Sequence, residues 1–173
     1  MAFLRKFTPD LYVKNIYAIP LDKLKAQGIN TLFFDVDNTI TPHSSPQADE
    51  AACLWFLSLK DAGFRPCLLS NNRGPRVKII AAQLEVEYIP RAKKPTLKGF
   101  KHAFARFNCK AEHCALIGDQ LFTDIFGGNR AKVFTVLVTP LGRDLVWGTR
   151  NLSRRLERLI WRKIMKNYYK ANN

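Results

Sequence analysis

The chain has 173 residues, of which 47% are hydrophobic and 24% are charged, and its formal net charge at pH 7 is +14. This size and composition predict a single globular domain with a core of its own, without linkers, repeats or low-complexity segments. The apolar stretches are too short to span a bilayer, which excludes an integral membrane protein.

The first 29 residues form a lead-in to the predicted domain. The segment "MAFLRKFTPDLY" has basic residues but no apolar run of secretory length, so we expect a cytoplasmic protein. Because the four cysteines form no C-x-x-C pair, we interpret them as small buried hydrophobic residues rather than as metal ligands or disulfides.

Residues 30–142 alternate short apolar runs with helical patterns, and they form the predicted core of the domain. Strands are predicted at 30–36, 65–70, 114–119 and 133–138, and helices at 47–62, 75–84, 95–107 and 122–129. This alternation is typical of an α/β fold with a parallel sheet and helices on both faces.

The remaining segment, 150–170, predicts a basic amphipathic helix. Nine basic and two acidic residues lie from Leu141 to the end of the chain, and they account for half of the net charge. Leu152, Leu156, Leu159, Ile160 and Ile164 would share one apolar face. Three interpretations stay open: the helix packs on its own domain, lies on anionic lipid, or contacts nucleic acid.

Polar side chains follow the predicted strands at the point where each strand ends. Asp35 and Asp37 follow the first strand, Ser70 and Asn71 the second, and Asp119 the third. Ligands of parallel α/β sheets bind at the carboxyl ends of the strands, so we expect these side chains to converge with Asp124 and Lys94 on one edge.

Carboxylates that converge at such an edge repel each other by roughly 4 kcal/mol per close pair at an effective dielectric constant near 20. A divalent cation is the simplest compensation, and an all-oxygen site suits Mg²⁺ shared with a phosphate. A nucleophilic carboxylate and a second acid that transfers protons would together suit phosphate ester hydrolysis.

These segments resemble the motifs of the haloacid dehalogenase (HAD) superfamily of phosphatases. "DVDNT" is similar to the first motif, Ser70 to the second, Lys94 to the third and "GDQLFTD" to the acidic fourth. The resemblance implies a Rossmann-like fold and an Mg²⁺-dependent phosphomonoesterase that forms an aspartyl-phosphate.

The resemblance also implies a role for each matching residue. Asp35 would be the nucleophile, Asp37 the general acid and base, and Lys94 a further catalytic residue. The implied metal site consists of Asp35, the backbone carbonyl of Asp37, Asp119 and Asp124, and the implied phosphate site of Thr39, Ser70, Asn71 and Lys94.

The spacing of the motifs leaves no room for a cap domain between Thr39 and Lys94, so we expect an open site that suits a phosphate displayed on something large. "FTPDLYVKNIYAI", "GDQLFTDIFGGNR" and "NLSRRLER" resemble the YqeG-type branch of subfamily IIIA, which is similar to mitochondrial phosphatidylglycerophosphate phosphatases. This resemblance implies a phospholipid monoester as substrate and peripheral contact with the inner face of the membrane.

Two other functions stay open from the sequence. The same phosphatase chemistry could serve a nucleotide, a nucleic-acid end or a soluble phosphometabolite. A binding protein that uses a HAD-like fold and a basic surface to contact RNA or the ribosome is the alternative of a different class.

Overall fold

The computed structural model describes residues 5–141 and Ile164. Within them, six parallel strands form one sheet in the spatial order β1-β6-β5-β2-β3-β4. The strands are β1 (Leu11–Val13), β2 (Thr31–Phe34), β3 (Arg65–Leu69), β4 (Glu87–Ile89), β5 (Cys114–Gly118) and β6 (Phe134–Val138). The α/β fold with a parallel sheet is therefore confirmed.

Helices cover both faces of this sheet. The five α-helices of the described residues are α1 (Leu21–Ala26), α2 (Glu50–Asp61), α3 (Pro75–Gln83), α4 (Leu97–Phe107) and α5 (Phe126–Ala131). A π-helical turn at Leu121–Ile125 precedes α5, and 3₁₀ turns lie at Ile16–Ala18 and Ala111–His113.

Strand β2 lies in the middle of the sheet, and each of its residues is buried. Successive side chains of a strand point to opposite faces. Accordingly Leu32 and Phe34 pack with Phe56 of α2 in one core, while Phe33 packs with Phe100 of α4 in the other. Helices α1, α2 and α3 thus cover one face of the sheet, and α4 and α5 cover the other.

The predicted strands and helices of 30–142 are confirmed to within a few residues at their ends. The sequence patterns missed β1, β4 and α1. The strands β1 and β4 are edge strands of three residues and α1 has only six residues, so each is too short to show a period. The helix predicted at 122–129 is a π-helical turn followed by α5.

The predicted cap-free architecture is also confirmed. Between Thr39 and Lys94 the chain forms only α2, β3, α3 and β4 with their loops. The carboxyl edge of the sheet is therefore not covered by an inserted domain from this part of the chain.

The basic helix predicted at 150–170 lies outside the described residues, apart from Ile164. That side chain is buried in a third apolar cluster with Phe7, Leu121, Ile125 and Leu137. Among the described residues, none of the helices has the length and hydropathy needed to cross a membrane.

The four cysteines are free thiols. Cys67 and Cys114 are buried, and burial raises the pKa of both thiols above the usual value. Cys53 and Cys109 are half-buried.

Candidate active site

The carboxyl edge of the sheet collects the acidic side chains that the sequence places at strand ends. Asp35 follows β2 and Asp119 follows β5, and the two strands are adjacent and in register. Asp124 lies in the π-helical turn after β5, and Lys94 lies in the loop between β4 and α4. All four residues are buried.

Lys94 forms two buried ion pairs at the centre of this group. Its Nζ lies 2.7 Å from Asp35 Oδ1 and 2.6 Å from Asp124 Oδ1. Burial would lower the pKa of the Lys94 ammonium, but the charges of Asp124 and Asp35 raise it above its usual value. Lys94 is therefore charged, and it connects the end of β2 to the π-helical turn.

Asn71 holds the main chain of Lys94. The Asn71 side-chain amide donates to the carbonyl of Lys94 at 2.9 Å, and its oxygen accepts from the N–H of Lys94 at 2.7 Å. The side chain predicted to bind phosphate thus also positions the lysine. A further hydrogen bond joins the loop after β3 to the loop after β4, since the N–H of Ala92 donates to the carbonyl of Ser70.

Three carboxylates form a cluster that could hold a metal ion. One oxygen from each of Asp35, Asp119 and Asp124 lies within 4.8 Å of the others. Asp35 Oδ2 is buried and has no hydrogen-bond partner among residues 5–141. An unpartnered buried carboxylate oxygen is costly, and a bound cation would satisfy it.

The charge balance of the cluster also fits a divalent cation. The single ammonium of Lys94 leaves two negative charges when all three carboxylates are ionised. Desolvation, together with the neighbouring carboxylates, raises the pKa of Asp119 to about 8. Desolvation also raises the pKa of Asp35 to about 6, against the opposing attraction of Lys94. Protonation of Asp119 below about pH 8, and of Asp35 below about pH 6, would thus reduce this excess charge.

Gly118 allows Asp124 to approach the end of β5. A Cβ atom at this position would overlap with Asp124 Cγ. Asp124 Oδ2 in turn accepts from the N–H of Gln120 at 3.1 Å, while the carbonyl of Gln120 accepts from the N–H groups of Asp124 and Ile125. The π-helical turn therefore fixes Asp124 in the cluster.

Two hydroxyl groups border the cluster. Thr39 is buried, and its Oγ1 donates to Asp119 Oδ1 at 3.4 Å. Ser70 is buried at the end of β3, and its Oγ accepts from the N–H of Asn72 at 3.1 Å. The structure thus brings both predicted hydroxyls to the same edge as Asp35.

The Asp37 side chain lies outside the carboxylate cluster. Its Oδ1 accepts a hydrogen bond from Arg76 Nη1 in a very short ion pair, and lies 3.1 Å from His43 Nδ1. Only the backbone carbonyl of Asp37 is predicted to bind the metal. A side chain outside the cluster is compatible with this prediction.

Arg76 and His43 were missed by the sequence analysis. Besides Asp37, Arg76 binds the backbone carbonyls of Ser45 through Nε at 2.6 Å and of Pro42 through Nη2 at 2.9 Å. Arg76 is the second residue of α3, directly after the loop that contains Ser70. This position near the carboxyl edge could have identified Arg76 as a candidate site residue. The path of the 42–45 loop could not be read from the sequence.

Comparisons with known proteins agree on one family. Residues 91–140 match a family described as HAD-hydrolase-like. The chain is 38% identical over 154 residues to the "Probable phosphatase YqeG" of Bacillus subtilis, and the match covers 89% of each chain. It is 28% identical over 152 residues to the phosphatidylglycerophosphate phosphatase 1 of Arabidopsis thaliana, covering 78% of this chain and 41% of that protein.

Solved structures show the same fold at low sequence identity. The 3-deoxy-D-manno-octulosonate 8-phosphate phosphatase of Moraxella catarrhalis, solved with a magnesium ion, a phosphate ion and KDO, aligns with a TM-score of 0.50. The alignment is 16% identical and covers 88% of this chain and 99% of the other.

The raised pKa values predict how cation binding depends on pH. Between about pH 4 and 8 the metal-free folded protein binds more protons at Asp35 and Asp119 than the unfolded chain does, so these groups lower its stability as the pH rises. A divalent cation requires the ionised carboxylates. We therefore expect the increase in Tm on adding Mg²⁺ or Mn²⁺ to be larger at pH 8 than at pH 5.5.

Differential scanning fluorimetry with and without a chelator measures this increase. The Asp119→Asn variant, which keeps the size of the side chain, should show little increase at either pH. An increase in wild-type Tm that is equal at both pH values would contradict cation binding at this cluster.

Proposed function

Because the chain belongs to the YqeG-type branch of the HAD superfamily of phosphatases, we propose that it hydrolyses a phosphate monoester through an aspartyl-phosphate on Asp35, with Mg²⁺ as cofactor. The observation that carries this proposal is the state of the Asp35 carboxylate. Lys94 holds its Oδ1, while Oδ2 is buried and finds no hydrogen-bond partner in the part of the chain that the structure describes.

Asp35 is the nucleophile of this mechanism. Its oxygen forms a bond to phosphorus as the bond from phosphorus to the leaving oxygen breaks. Lys94 fixes the carboxylate in one orientation, which reduces the entropy lost on the way to the transition state. In the second step a water oxygen attacks the phosphorus, and the bond from phosphorus to Asp35 breaks to release inorganic phosphate.

Asp37 transfers the protons. It donates one to the leaving oxygen in the first step, and it takes one from the attacking water in the second. Its ion pair with Arg76 and its contact with His43 hold the carboxylate beside the 42–45 loop. Arg76 and His43 are thus positioning residues for Asp37.

Asp35, Asp119 and Asp124 would hold Mg²⁺ with their carboxylates, together with the backbone carbonyl of Asp37. The ion supplies a positive charge that stabilises the negative charge of the phosphoryl group. The carboxylate oxygens are hard ligands that suit Mg²⁺, and the Moraxella phosphatase of the same fold was solved with a magnesium ion and a phosphate ion.

Thr39, Ser70 and Lys94 would bind the phosphate oxygens. Ser70 Oγ already accepts from Asn72, so its hydroxyl proton is directed to another acceptor. The Lys94 ammonium is a fixed positive charge beside the nucleophile, and charged donors of this kind stabilise transferring phosphoryl groups. Asn71 contributes by holding the backbone of Lys94.

For the substrate we propose phosphatidylglycerophosphate at a membrane surface. Between Thr39 and Lys94 the chain inserts no cap domain over the carboxyl edge, so this edge suits a phosphate that projects from a lipid surface. The Arabidopsis protein that this chain resembles over 152 residues is a phosphatidylglycerophosphate phosphatase. The basic segment after Leu141 would supply attraction to anionic lipid.

A panel of phosphate esters tests the activity and the substrate together. We expect Mg²⁺-dependent phosphate release from phosphatidylglycerophosphate in vesicles at a kcat/KM at least about tenfold higher than from sugar phosphates or mononucleotides. Asp35→Asn should reduce this release by more than about 10³-fold, because the amide is not a nucleophile.

Other results of the panel identify the alternatives. Turnover of soluble phosphates or 5′-phosphorylated oligonucleotides alone would replace the lipid with that substrate class. Salt-sensitive RNA binding that is unchanged in Asp35→Asn, with no turnover of any ester, would contradict the enzymatic proposal.

The role of Arg76 predicts a dependence on the leaving group. Replacing Arg76 with Ala should reduce kcat/KM for an alkyl phosphate by about 10²-fold, the scale of general acid catalysis. The reduction should be much smaller for p-nitrophenyl phosphate, because its leaving group departs without a proton.

Arg106→Ala is the matched control for this experiment, since Arg106 of α4 forms an exposed ion pair with Glu87 of β4. It should change neither rate by more than about twofold. An equal reduction for both substrates in Arg76→Ala would show that Arg76 does not act through the proton of Asp37.

A further inference from the structure

Three cationic residues lie on the two loops that follow β3 and β4. Arg73 belongs to the first loop, and Arg91 and Lys93 belong to the second. All three are exposed. We refer to these three residues as the cation rim.

Hydrogen bonds join the two loops beside the catalytic lysine. The N–H of Arg91 donates to the carbonyl of Asn72 at 3.2 Å, which places the backbone of Arg91 next to that of Arg73. Lys93 directly precedes Lys94, whose Nζ lies 2.7 Å from Asp35. The cation rim is therefore a neighbour of the phosphoryl site and is held to it by backbone contacts.

The cations of the rim have no acidic partner among residues 5–141. The acids that form ion pairs there contact Lys60, Arg76, Lys94, Arg106 and two histidines. A concentration of unpaired positive charge raises the local concentration of anions and attracts an anionic group of a ligand.

The backbone of the rim is unusual as well. Arg91 and Lys93 both have a φ of 53°, in the left-handed region that long side chains rarely adopt. Such conformations persist where the surrounding structure enforces them, and they concentrate at binding sites. Arg91 and Lys93 are therefore two long cationic side chains on nearby, constrained backbone positions of one loop.

We propose that Arg73, Arg91 and Lys93 form a second anion subsite, which binds a phosphodiester carried by the same molecule whose monoester is attacked by Asp35. This proposal rests on the proposed function and names its specificity-determining residues. Lys93 is exposed and directly precedes the buried Lys94, so we expect the two phosphates to be joined by a short linker such as one glycerol unit.

Binding to a protein without turnover tests this subsite. In the Asp35→Asn background, calorimetry compares the Kd of glycerophosphoglycerol phosphate, which has a diester and a monoester, with that of glycerol 3-phosphate, which has the monoester alone. Arg91→Asn and Lys93→Asn remove the charges and keep a residue that tolerates the left-handed φ.

We expect the ratio of the two affinities to fall about fivefold in each variant and about 25-fold in the double variant, the upper range for exposed charge pairs. Lys132→Asn is the matched control, because Lys132 is exposed and has a φ of 60°. It precedes β6 and so lies at the amino ends of the strands, away from the carboxyl edge. It should change the ratio by less than about twofold.

An unchanged ratio in the double variant would overturn the subsite, and so would an equal fall in Lys132→Asn, which would indicate a general effect of net charge. A 5′-phosphorylated dinucleotide as a third ligand distinguishes the source of the diester: weaker binding than the glycerol compound supports a lipid headgroup, and equal or tighter binding contradicts it. Failure of the proposed function is visible separately, as a lack of turnover by the wild-type protein.

Discussion

The rest of this site depends on the two ion pairs that the buried ammonium of Lys94 forms. It joins Asp35 at the end of β2 to Asp124 in the π-helical turn through two ion pairs shorter than 3 Å. Removing one partner of a buried ion pair typically costs about 3–5 kcal/mol, because a charge remains uncompensated. Asn71 holds the lysine backbone, and Gly118 leaves the space that Asp124 needs. The features around Lys94 thus fix one arrangement of the acids.

This arrangement compensates only part of the negative charge. Asp119 adds a third carboxylate, and the unpartnered Oδ2 of Asp35 lies among these groups. Protons stabilise the metal-free fold by neutralising the same carboxylate oxygens that a cation and a phosphoryl group would use. The protonation that favours folding without a metal therefore disfavours the proposed reaction. The side chain of Asp37 lies apart from this cluster, in its ion pair with Arg76.

The sequence predicted the parts of the site that follow from buried strands. Continuous apolar runs identified β2 and β5, and their ends located Asp35 and Asp119 on one edge. The contacts of Arg76 with the 42–45 loop depend on an irregular backbone path, which has no periodic signal. The same limit applies to Asn71, whose two hydrogen bonds to the main chain of Lys94 could not be read from the sequence. The edge strands β1 and β4 are defined by pairing with β6 and β3 rather than by their own three residues.

Chemical trapping of the covalent intermediate tests the central claim most directly. Acid quenching during turnover, followed by borohydride reduction, converts an aspartyl-phosphate to homoserine, which mass spectrometry locates in the sequence. The proposed mechanism predicts homoserine at Asp35, with none at Asp37, Asp119 or Asp124. Homoserine at another aspartate would contradict it. The Asp37→Asn variant, in which the intermediate should accumulate, is quenched in the same way, and an unmodified Asp35 during its steady-state turnover would also contradict the mechanism.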